Sequence, residues 1–452
     1  MSSRVLSGAD AAPARGLLGA YAAAALLASA ALVAAVSGSF AGEDVSLWVR
    51  GLALVAAAGL LLAALRWMPG ILFALAPVTC VLNTQHGFFP FDLVVFGLSA
   101  YALLDALGKR DGSLPGPPSL HLAFLAVILS GAITLFMARE FSSFAGSLKR
   151  VVVGYLAVAL VFRYADRSRW PWFALSIPLT GTAISGLILA AYQTRGFIVH
   201  RAYELRTFYS NVGWGTSNYV GAVLSIALLG SVILLALPTR PWLRIASGIS
   251  LLPMGLGMAL LVSRGTFIAV GLGLAALLLA IRGRHRWTVL VFGSIGAALL
   301  TQLPVFKILM LRFTLASQSF SYFARLVHWR LAFQRFVEHP LLGLGLGQGR
   351  FQTDDLGPLD PHNYFLSIAS ETGILGLCAW TALLVLFFRT AWTAARGTPR
   401  AAWAASLGVL LGMAVVHSCY EPTFTGANYF FLLFWVAAIL HRAADPLEPA
   451  SP

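Results

Sequence analysis

Apolar runs of about 17–25 residues recur along most of this sequence, and they constrain its fold more than any other feature. A helix of that length crosses the roughly 30 Å hydrocarbon core of a membrane and satisfies its own backbone hydrogen bonds there. The first run follows Arg4 and Arg15, but its length and the runs after it predict an uncleaved helix rather than a signal peptide. The sequence therefore predicts an all-α polytopic membrane protein.

Fourteen segments have this apolar character, and about 12–14 transmembrane helices follow from them. The segments are 16–36, 47–66, 70–83, 91–107, 119–137, 148–163, 171–192, 214–236, 243–262, 265–282, 286–304, 363–388, 401–418 and 426–441. We predict an N-terminal transmembrane bundle at 1–304, a large loop at 305–362 and C-terminal transmembrane helices at 363–452, which together form one membrane domain. The segment 70–83 is short, which is typical of a half-span or a broken helix.

The composition excludes a soluble protein, because only 11% of the residues are charged and 59% are hydrophobic. The net charge of +14 must first be divided between the two sides of the membrane, so it does not indicate a nucleic-acid partner. The cysteines Cys80, Cys378 and Cys419 are scattered and predict neither a disulfide framework nor a metal site.

The distribution of Lys and Arg predicts the orientation. With a cytoplasmic N-terminus, 17 of the 31 basic residues fall on the inner side, and the short outer loops at 37–46, 83–90 and 419–425 carry none. This arrangement places both termini in the cytoplasm and the loop 305–362 outside, in the periplasm of a Gram-negative cell.

The remaining basic residues lie on the outer side, against this rule, and many of them are arginines. Arginine binds phosphate well because its planar fork can donate to two oxygens at once. The clearest candidates are Arg264 in the Ser263-Arg264-Gly265 turn, the loop residues Arg195, Arg201 and Arg206, and Arg325. We interpret them as a binding site for an anionic ligand; the alternative is that they extend to lipid phosphates.

The outer loop contains one predicted amphipathic helix, from about Ser319 to Val337. One narrow face of it carries Ser321, Arg325, His328, Ala332 and Arg335. Aromatic and aliphatic residues fill much of the rest. This pattern predicts a helix that either lies on the membrane or covers the bundle, with its basic face toward lipid phosphates or a substrate.

Polar residues mark the place where this loop enters the next helix. His362 and Asn363 stand at the mouth of the helix, and Glu371 follows more than two turns further in. A charge inside an apolar helix costs about 2.5–3.5 kcal/mol, so we expect Glu371 to orient an arginine or to brace the helix. Asn218, at the start of the segment 214–236, needs a partner for the same reason.

These residues resemble the hallmark of the O-antigen ligase and polymerase superfamily. The resemblance rests on His362-Asn363, on Glu371-Thr-Gly373 with Gly376, on the preceding His339-Pro-Leu-Leu-Gly-Leu-Gly-Leu-Gly347, and on Ser263-Arg264-Gly265. It covers roughly residues 190–390. It implies the fold of the lipid-dependent membrane glycosyltransferases, located in the bacterial inner membrane with the active site toward the periplasm.

The resemblance also implies the chemistry. The donor would be a glycan on undecaprenyl pyrophosphate, with no metal and no cofactor, and the acceptor would be a glycan or lipid A–core. Arg264 and one or more of Arg195, Arg201 and Arg206 would hold the pyrophosphate, with Arg325 as a further candidate. His362 would act on the acceptor hydroxyl as a base, with Asn363, Glu371 and Asn218 in support, and direct displacement would invert the anomeric carbon.

Three functions remain open at this point. We favour a polymerase of O-antigen or exopolysaccharide, which would work with other polysaccharide assembly proteins. An O-antigen ligase is the alternative within the same chemistry. A transporter or flippase of a lipid-linked or anionic solute is the alternative of another class, and repeat symmetry within the chain would favour it.

Overall fold

Helices dominate the part of the chain that the structure describes. The structure is a computed structural model. It describes residues 75–82, 90–108, 116–194, 217–303, 306–307, 310, 313–314, 320–349, 351–353, 357–359, 361–395, 400–421 and 426–444. These residues belong to one compact unit, Phe73–Pro452.

Twelve α-helices are found among the described residues. In chain order they are α1 (Pro90–Gly108), α2 (Pro118–Ile133), α3 (Phe141–Tyr164), α4 (Trp170–Thr194), α5 (Ser217–Ala236), α6 (Pro241–Leu261), α7 (Arg264–Ala280), α8 (Arg284–Gln302), α9 (Phe320–Glu338), α10 (Tyr364–Ala395), α11 (Ala401–Ser418) and α12 (Ala427–Ala444). Short 3₁₀ helices occur at Ala76–Leu82 and Thr134–Met137, and two strands of three residues, β1 (Phe351–Thr353) and β2 (Gly357–Leu359), pair antiparallel.

The predicted apolar segments correspond closely to these helices. All eleven segments from 91–107 onward form an α-helix, and the short segment 70–83 contains the 3₁₀ helix Ala76–Leu82. Within the described chain, eight helices are long and apolar enough to cross a membrane. The prediction of an all-α multi-pass membrane protein is therefore confirmed. The segments 16–36 and 47–66 lie outside the described residues, so the total of 12–14 crossings stays a prediction, as does the division at 304 and 362.

Two helices, α5 and α12, form the centre of the bundle. Every residue from Tyr429 to Leu440 is at most 1% exposed. α12 packs against α3, α5 and α11, and α5 packs against α4, α6 and α7. Its apolar composition suits lipid tails and a helical core equally well, so the packing of the neighbouring helices decides the central place of α12. Its Trp435 stacks on Phe173, and the indole N–H donates to Ser176 over 3.0 Å.

A glycine-rich loop at 339–349 packs onto a break in α10. Gly373 interrupts that helix with φ 63° and ψ −159°. A Cβ at Gly373 would lie 2.3 Å from the carbonyl carbon of Leu341, and one at Gly343 would lie 2.3 Å from that of Glu371. Only glycine allows these backbones to approach so closely with positive φ angles. The sequence Gly343–Gly349 is thus a packing element between α9 and α10.

Candidate functional site

Glu421 lies in the turn after α11, at the end of the bundle where α5, α7 and α10 begin. Its side chain is almost completely buried, with 3% exposure. Oε1 accepts a hydrogen bond from Nη2 of Arg325 over 2.6 Å and one from Nδ2 of Asn218 over 2.8 Å. Oε2 lies 3.6 Å from Nδ1 of His362. One buried carboxylate thus joins three side chains that the sequence had singled out separately.

A chain of hydrogen bonds extends from Glu421 toward Arg264. The hydroxyl of Ser263 donates to Oδ1 of Asn218 over 3.0 Å, and the same hydroxyl caps α7 by accepting from the backbone N–H of Thr266. Asn218, which needed a partner inside its helix, therefore has one on each end of its amide. Arg264 is the first residue of α7 and is half-buried directly after Ser263.

Gly265 lets the turn of Glu421 sit close to the start of α7. A Cβ on this glycine would lie 2.9 Å from Cε2 of Tyr420 and 3.4 Å from Cγ of Glu421. The hydroxyl of Tyr420 donates to the carbonyl of Gly265 over 3.0 Å. The Ser263-Arg264-Gly265 turn is thus built against the Tyr420–Glu421 turn, which explains the serine and the glycine.

Asn363 fixes the position of His362. Its Oδ1 accepts from the backbone N–H of Leu366 over 3.1 Å, which caps the first turn of α10. Its Nδ2 donates to the carbonyl of Cys419 over 2.8 Å, which ties the start of α10 to the turn of Glu421. The amide therefore holds the histidine next to the carboxylate.

The backbone of the site is strained at two positions. Val262 and His362 are the two residues other than glycine that have positive φ angles in the described part of the chain, 48° and 51°. Such a conformation costs about 1–3 kcal/mol and persists only where the surroundings enforce it. One strained residue, His362, is itself a proposed functional residue, and the other, Val262, lies two residues before Arg264.

α9 contributes its polar face to this site. Arg325 reaches Glu421, His328 is 3% exposed, and Ala332 is completely buried on the same face. The rings of His328 and His362 stack with their centroids 6.3 Å apart and 13° between their planes. The predicted helix at about Ser319–Val337 is thus found at Phe320–Glu338, and its predicted narrow face turns into the protein rather than toward lipid.

The opposite face of α9 is apolar and exposed. Phe323, Val327 and Val337 are each more than half exposed, and they recur at helical spacing. α9 therefore presents a polar face to the cluster around Glu421 and an apolar face away from it.

The electrostatics of the site favour an ionised Glu421. Burial alone raises its pKa, but the interaction with the His362 ring and the positive charge of Arg325 outweigh burial and hold the pKa below its ordinary value. The site is thus a buried anion that holds a cation and a histidine.

Glu371 has a different role from Glu421. Its carboxylate accepts from the backbone N–H of Gly347 over 2.7 Å and from that of Gly349 over 3.1 Å. These bonds hold the glycine-rich loop on α10. Groups of three or more His, Cys, Asp or Glu that could hold a metal are not found among the described residues.

The structure brings together Arg325, His362, Asn363 and Asn218, with Arg264 next to the hydrogen-bond chain. The loop with Arg195, Arg201 and Arg206 lies outside the described residues. Sequence reasoning missed Glu421, which belongs to the loop 419–425 that was noted only for its lack of basic residues. A lone carboxylate in a short apolar loop, close to a helix end, was the signal that could have found it.

The comparison with protein families decides how this site is interpreted. Residues 249–381 match the family model described as O-Antigen ligase. The chain is similar to this family over those residues. The predicted resemblance to the O-antigen ligase and polymerase superfamily is therefore confirmed for this range, within a multi-pass membrane protein.

The matched range contains part of the cluster. Arg264, Arg325 and His362 lie inside the matched range, whereas Asn218 and Glu421 lie outside it. A comparison with curated proteins gives no match to this chain.

Proposed function

We propose that this protein transfers a glycan from undecaprenyl pyrophosphate to a sugar hydroxyl at the periplasmic face of the bacterial inner membrane. The observation that carries the proposal is the meeting of Arg325 and His362 on the buried Glu421, inside and beside the range that matches the O-antigen ligase family. A cation and a base in one site are what this reaction requires.

The arginines act on the donor. When the bond between the anomeric carbon and the pyrophosphate oxygen breaks, the electron pair leaves with the pyrophosphate and negative charge grows on its oxygens. Arg264 and Arg325 stabilise that charge, with Arg195, Arg201 and Arg206 as further candidates, and removal of one such group from an enzyme typically costs about 10²–10³-fold in rate. Pyrophosphate is then a good leaving group and needs little help from an acid.

His362 acts on the acceptor. The acceptor oxygen forms the new bond to the anomeric carbon, and its proton passes to the imidazole, which contributes about 10²–10⁴-fold as a general base. Nδ1 of His362 faces Glu421. This leaves Nε2 as the ring nitrogen that takes the proton, and the reaction inverts the anomeric carbon without a metal or cofactor.

The side of the membrane follows from the predicted orientation. The cluster lies where α5, α7 and α10 begin and α11 ends. With the N-terminus in the cytoplasm, this is the outer end of each of these helices, so the site faces the periplasm.

The identity of the acceptor distinguishes two possible enzymes. A polymerase of O-antigen or exopolysaccharide adds the growing glycan to another lipid-linked unit, and this is the function that we propose. A ligase adds finished glycan to lipid A–core, and the description of the matched family supports it as the second candidate. Both would act beside other polysaccharide assembly proteins and membrane lipids.

The test is complementation of a deletion strain, with the surface glycan resolved on gels and the amount of inserted protein measured. His362→Asn removes the base, while asparagine tolerates the positive φ of this position. Arg264→Ala removes a cation that would bind the donor. His339→Asn and Arg330→Ala are the matched controls, because both residues are exposed and belong to the loop 305–362. We expect both site variants to insert normally and to make no surface glycan, and both controls to complement.

The product of the deletion strain assigns the acceptor. Single repeat units on the lipid core mean that a polymerase has been lost, and polymer that stays on its lipid carrier means that a ligase has been lost. Full complementation by both site variants would refute the proposed function and favour a transporter or flippase.

A further inference from the structure

Glu421 holds both of the side chains to which we assign the chemistry, and it divides its two oxygens between them. Oε1 binds Arg325 and Asn218, and Oε2 faces His362. The contact with Arg325 is short, at 2.6 Å, whereas the distance to Nδ1 of His362 is 3.6 Å. The carboxylate is therefore bonded to the arginine and only close to the histidine.

Both functional side chains retain a buried nitrogen that is not hydrogen bonded. Nδ1 of His362 and Nε of Arg325 are buried, and neither has a hydrogen-bond partner in the described part of the chain. A buried N–H without a partner costs about 1–3 kcal/mol, so the arrangement favours a change that satisfies these groups. A phosphate oxygen could accept a hydrogen bond from Nε of Arg325. Oε2 of Glu421 could accept one from Nδ1 of His362 if it moved slightly closer than the present 3.6 Å.

Both nitrogens would gain a partner if Glu421 exchanged Arg325 for His362. We propose that Glu421 is a positioning residue that couples donor binding to His362: the pyrophosphate draws Arg325 away, and the released carboxylate closes on Nδ1 of His362. The inference rests on the proposed function. Before the exchange, the charge of Arg325 offsets that of Glu421, and after it, the full negative charge acts on the imidazole, which then binds a proton on Nε2 more readily.

In the part of the chain that the structure describes, few charged or titratable groups surround Glu421. α9 supplies Arg325 and His328, α11 and its turn supply His417 and Tyr420, and His362 precedes α10. At the start of α7, Arg264 follows Ser263 of the hydrogen-bond chain, and α5 supplies only the neutral Asn218. Since Arg325 forms the short bond to Glu421, its departure is the change that alters the charge next to His362.

The exchange predicts proton uptake on donor binding. Undecaprenyl pyrophosphate is titrated into the purified protein in detergent, and calorimetry in buffers of different ionisation enthalpy counts the protons taken up. The His362→Asn variant gives the contribution of the pyrophosphate itself. If the exchange increases the proton affinity of the imidazole tenfold, the wild type takes up at most about half a proton more than His362→Asn.

Two variants remove this excess in different ways. Glu421→Gln removes the charge but keeps an oxygen and the shape, and Arg325→Ala leaves the carboxylate free to act on His362 before the donor arrives. We expect the excess uptake to disappear in both and to persist in Glu421→Asp. Glu338→Gln, an exposed carboxylate on α9, makes the same change of charge elsewhere and should keep the excess.

The outcomes separate this inference from the proposed function. If undecaprenyl pyrophosphate does not bind to the wild type, the proposed donor is wrong and the exchange is excluded with it. If it binds and the excess uptake is the same in Glu421→Gln or Arg325→Ala as in the wild type, the exchange is wrong and the proposed function stands. A purely structural role of Glu421 would lower the amount of folded protein without changing the proton count.

Discussion

Replacing Arg325 by alanine removes the cation that bonds to Glu421, and the structure predicts how much stability is lost. A hydrogen bond to a charged group contributes about 1.5–3 kcal/mol. The side chains are 22% exposed for Arg325 and 4% exposed for Glu421, so the pair is protected from most of the solvent screening. Asn218 still donates to the carboxylate, so the loss falls below the roughly 3–5 kcal/mol of a completely abandoned buried charge. We expect about 2 kcal/mol.

The sign of the pH dependence follows from Glu421. Its pKa in the folded protein is below the ordinary value of 4.5, so its ionised form stabilises the fold above pH 4.5, and this contribution is lost as the pH falls below that value. Arg325→Ala should therefore lower the free energy of unfolding by its full amount at neutral pH. This loss of stability should become smaller as the pH falls below 4.5, because a protonated Glu421 is neutral and gains nothing from a neighbouring cation.

The assay is equilibrium unfolding in mixed detergent micelles at both ends of this pH range. A double-mutant cycle with Glu421→Gln measures the coupling between the two side chains, and Arg330→Ala is the control because Arg330 is exposed on the same helix. Surface substitutions of this kind change stability by about 0.5 kcal/mol or less. Equal costs at neutral and acidic pH, or an equal cost for Arg330→Ala, would refute the reasoning.

Two further predictions concern the backbone around the site. Gly373→Ala should destabilise the protein by at least about 1–3 kcal/mol, because alanine at φ 63° is strained and its Cβ meets Leu341, whereas Gly296→Ala, with open space around it, should be close to neutral in the same unfolding assay. Asn363→Ser should keep the cap of α10 but lose the bond to Cys419, so it should lower glycan synthesis in the complementation strain with little loss of inserted protein. Asn363→Ala should lose both, and equal behaviour of the two variants would contradict the separate roles.

Much of the candidate site could be predicted from the sequence, because polar residues are costly in apolar helices and stand out there. Asn218 was recognised in this way, Arg264 and Arg325 as cations on the side of the membrane where few are expected, and His362 by its place at the mouth of a helix. The face of α9 that carries Arg325 and His328 followed from helical periodicity alone, and the structure confirms that these residues share one side. The direction of that face did not follow, since a basic stripe suits lipid phosphates and a buried carboxylate equally well.

The helices themselves were determined by the sequence. Each apolar segment from 91–107 onward carries its own signal, because a membrane helix completes its hydrogen bonds within the segment and needs only length and hydropathy to be recognised. The packing order of the helices has no such local signal. It brings Asn218 within 2.8 Å of Glu421, although the two residues are 203 positions apart.

Only the tertiary structure therefore decided which charge pairs with which. Glu421 became the centre of the site because the starts of α5, α7 and α10 meet the end of α11, and a buried carboxylate must find donors where it lies. The glycines at 343 and 373 illustrate the same limit, since only the packing shows that they let two backbone segments touch. Local patterns determine which groups need partners, and long-range packing determines what those partners are.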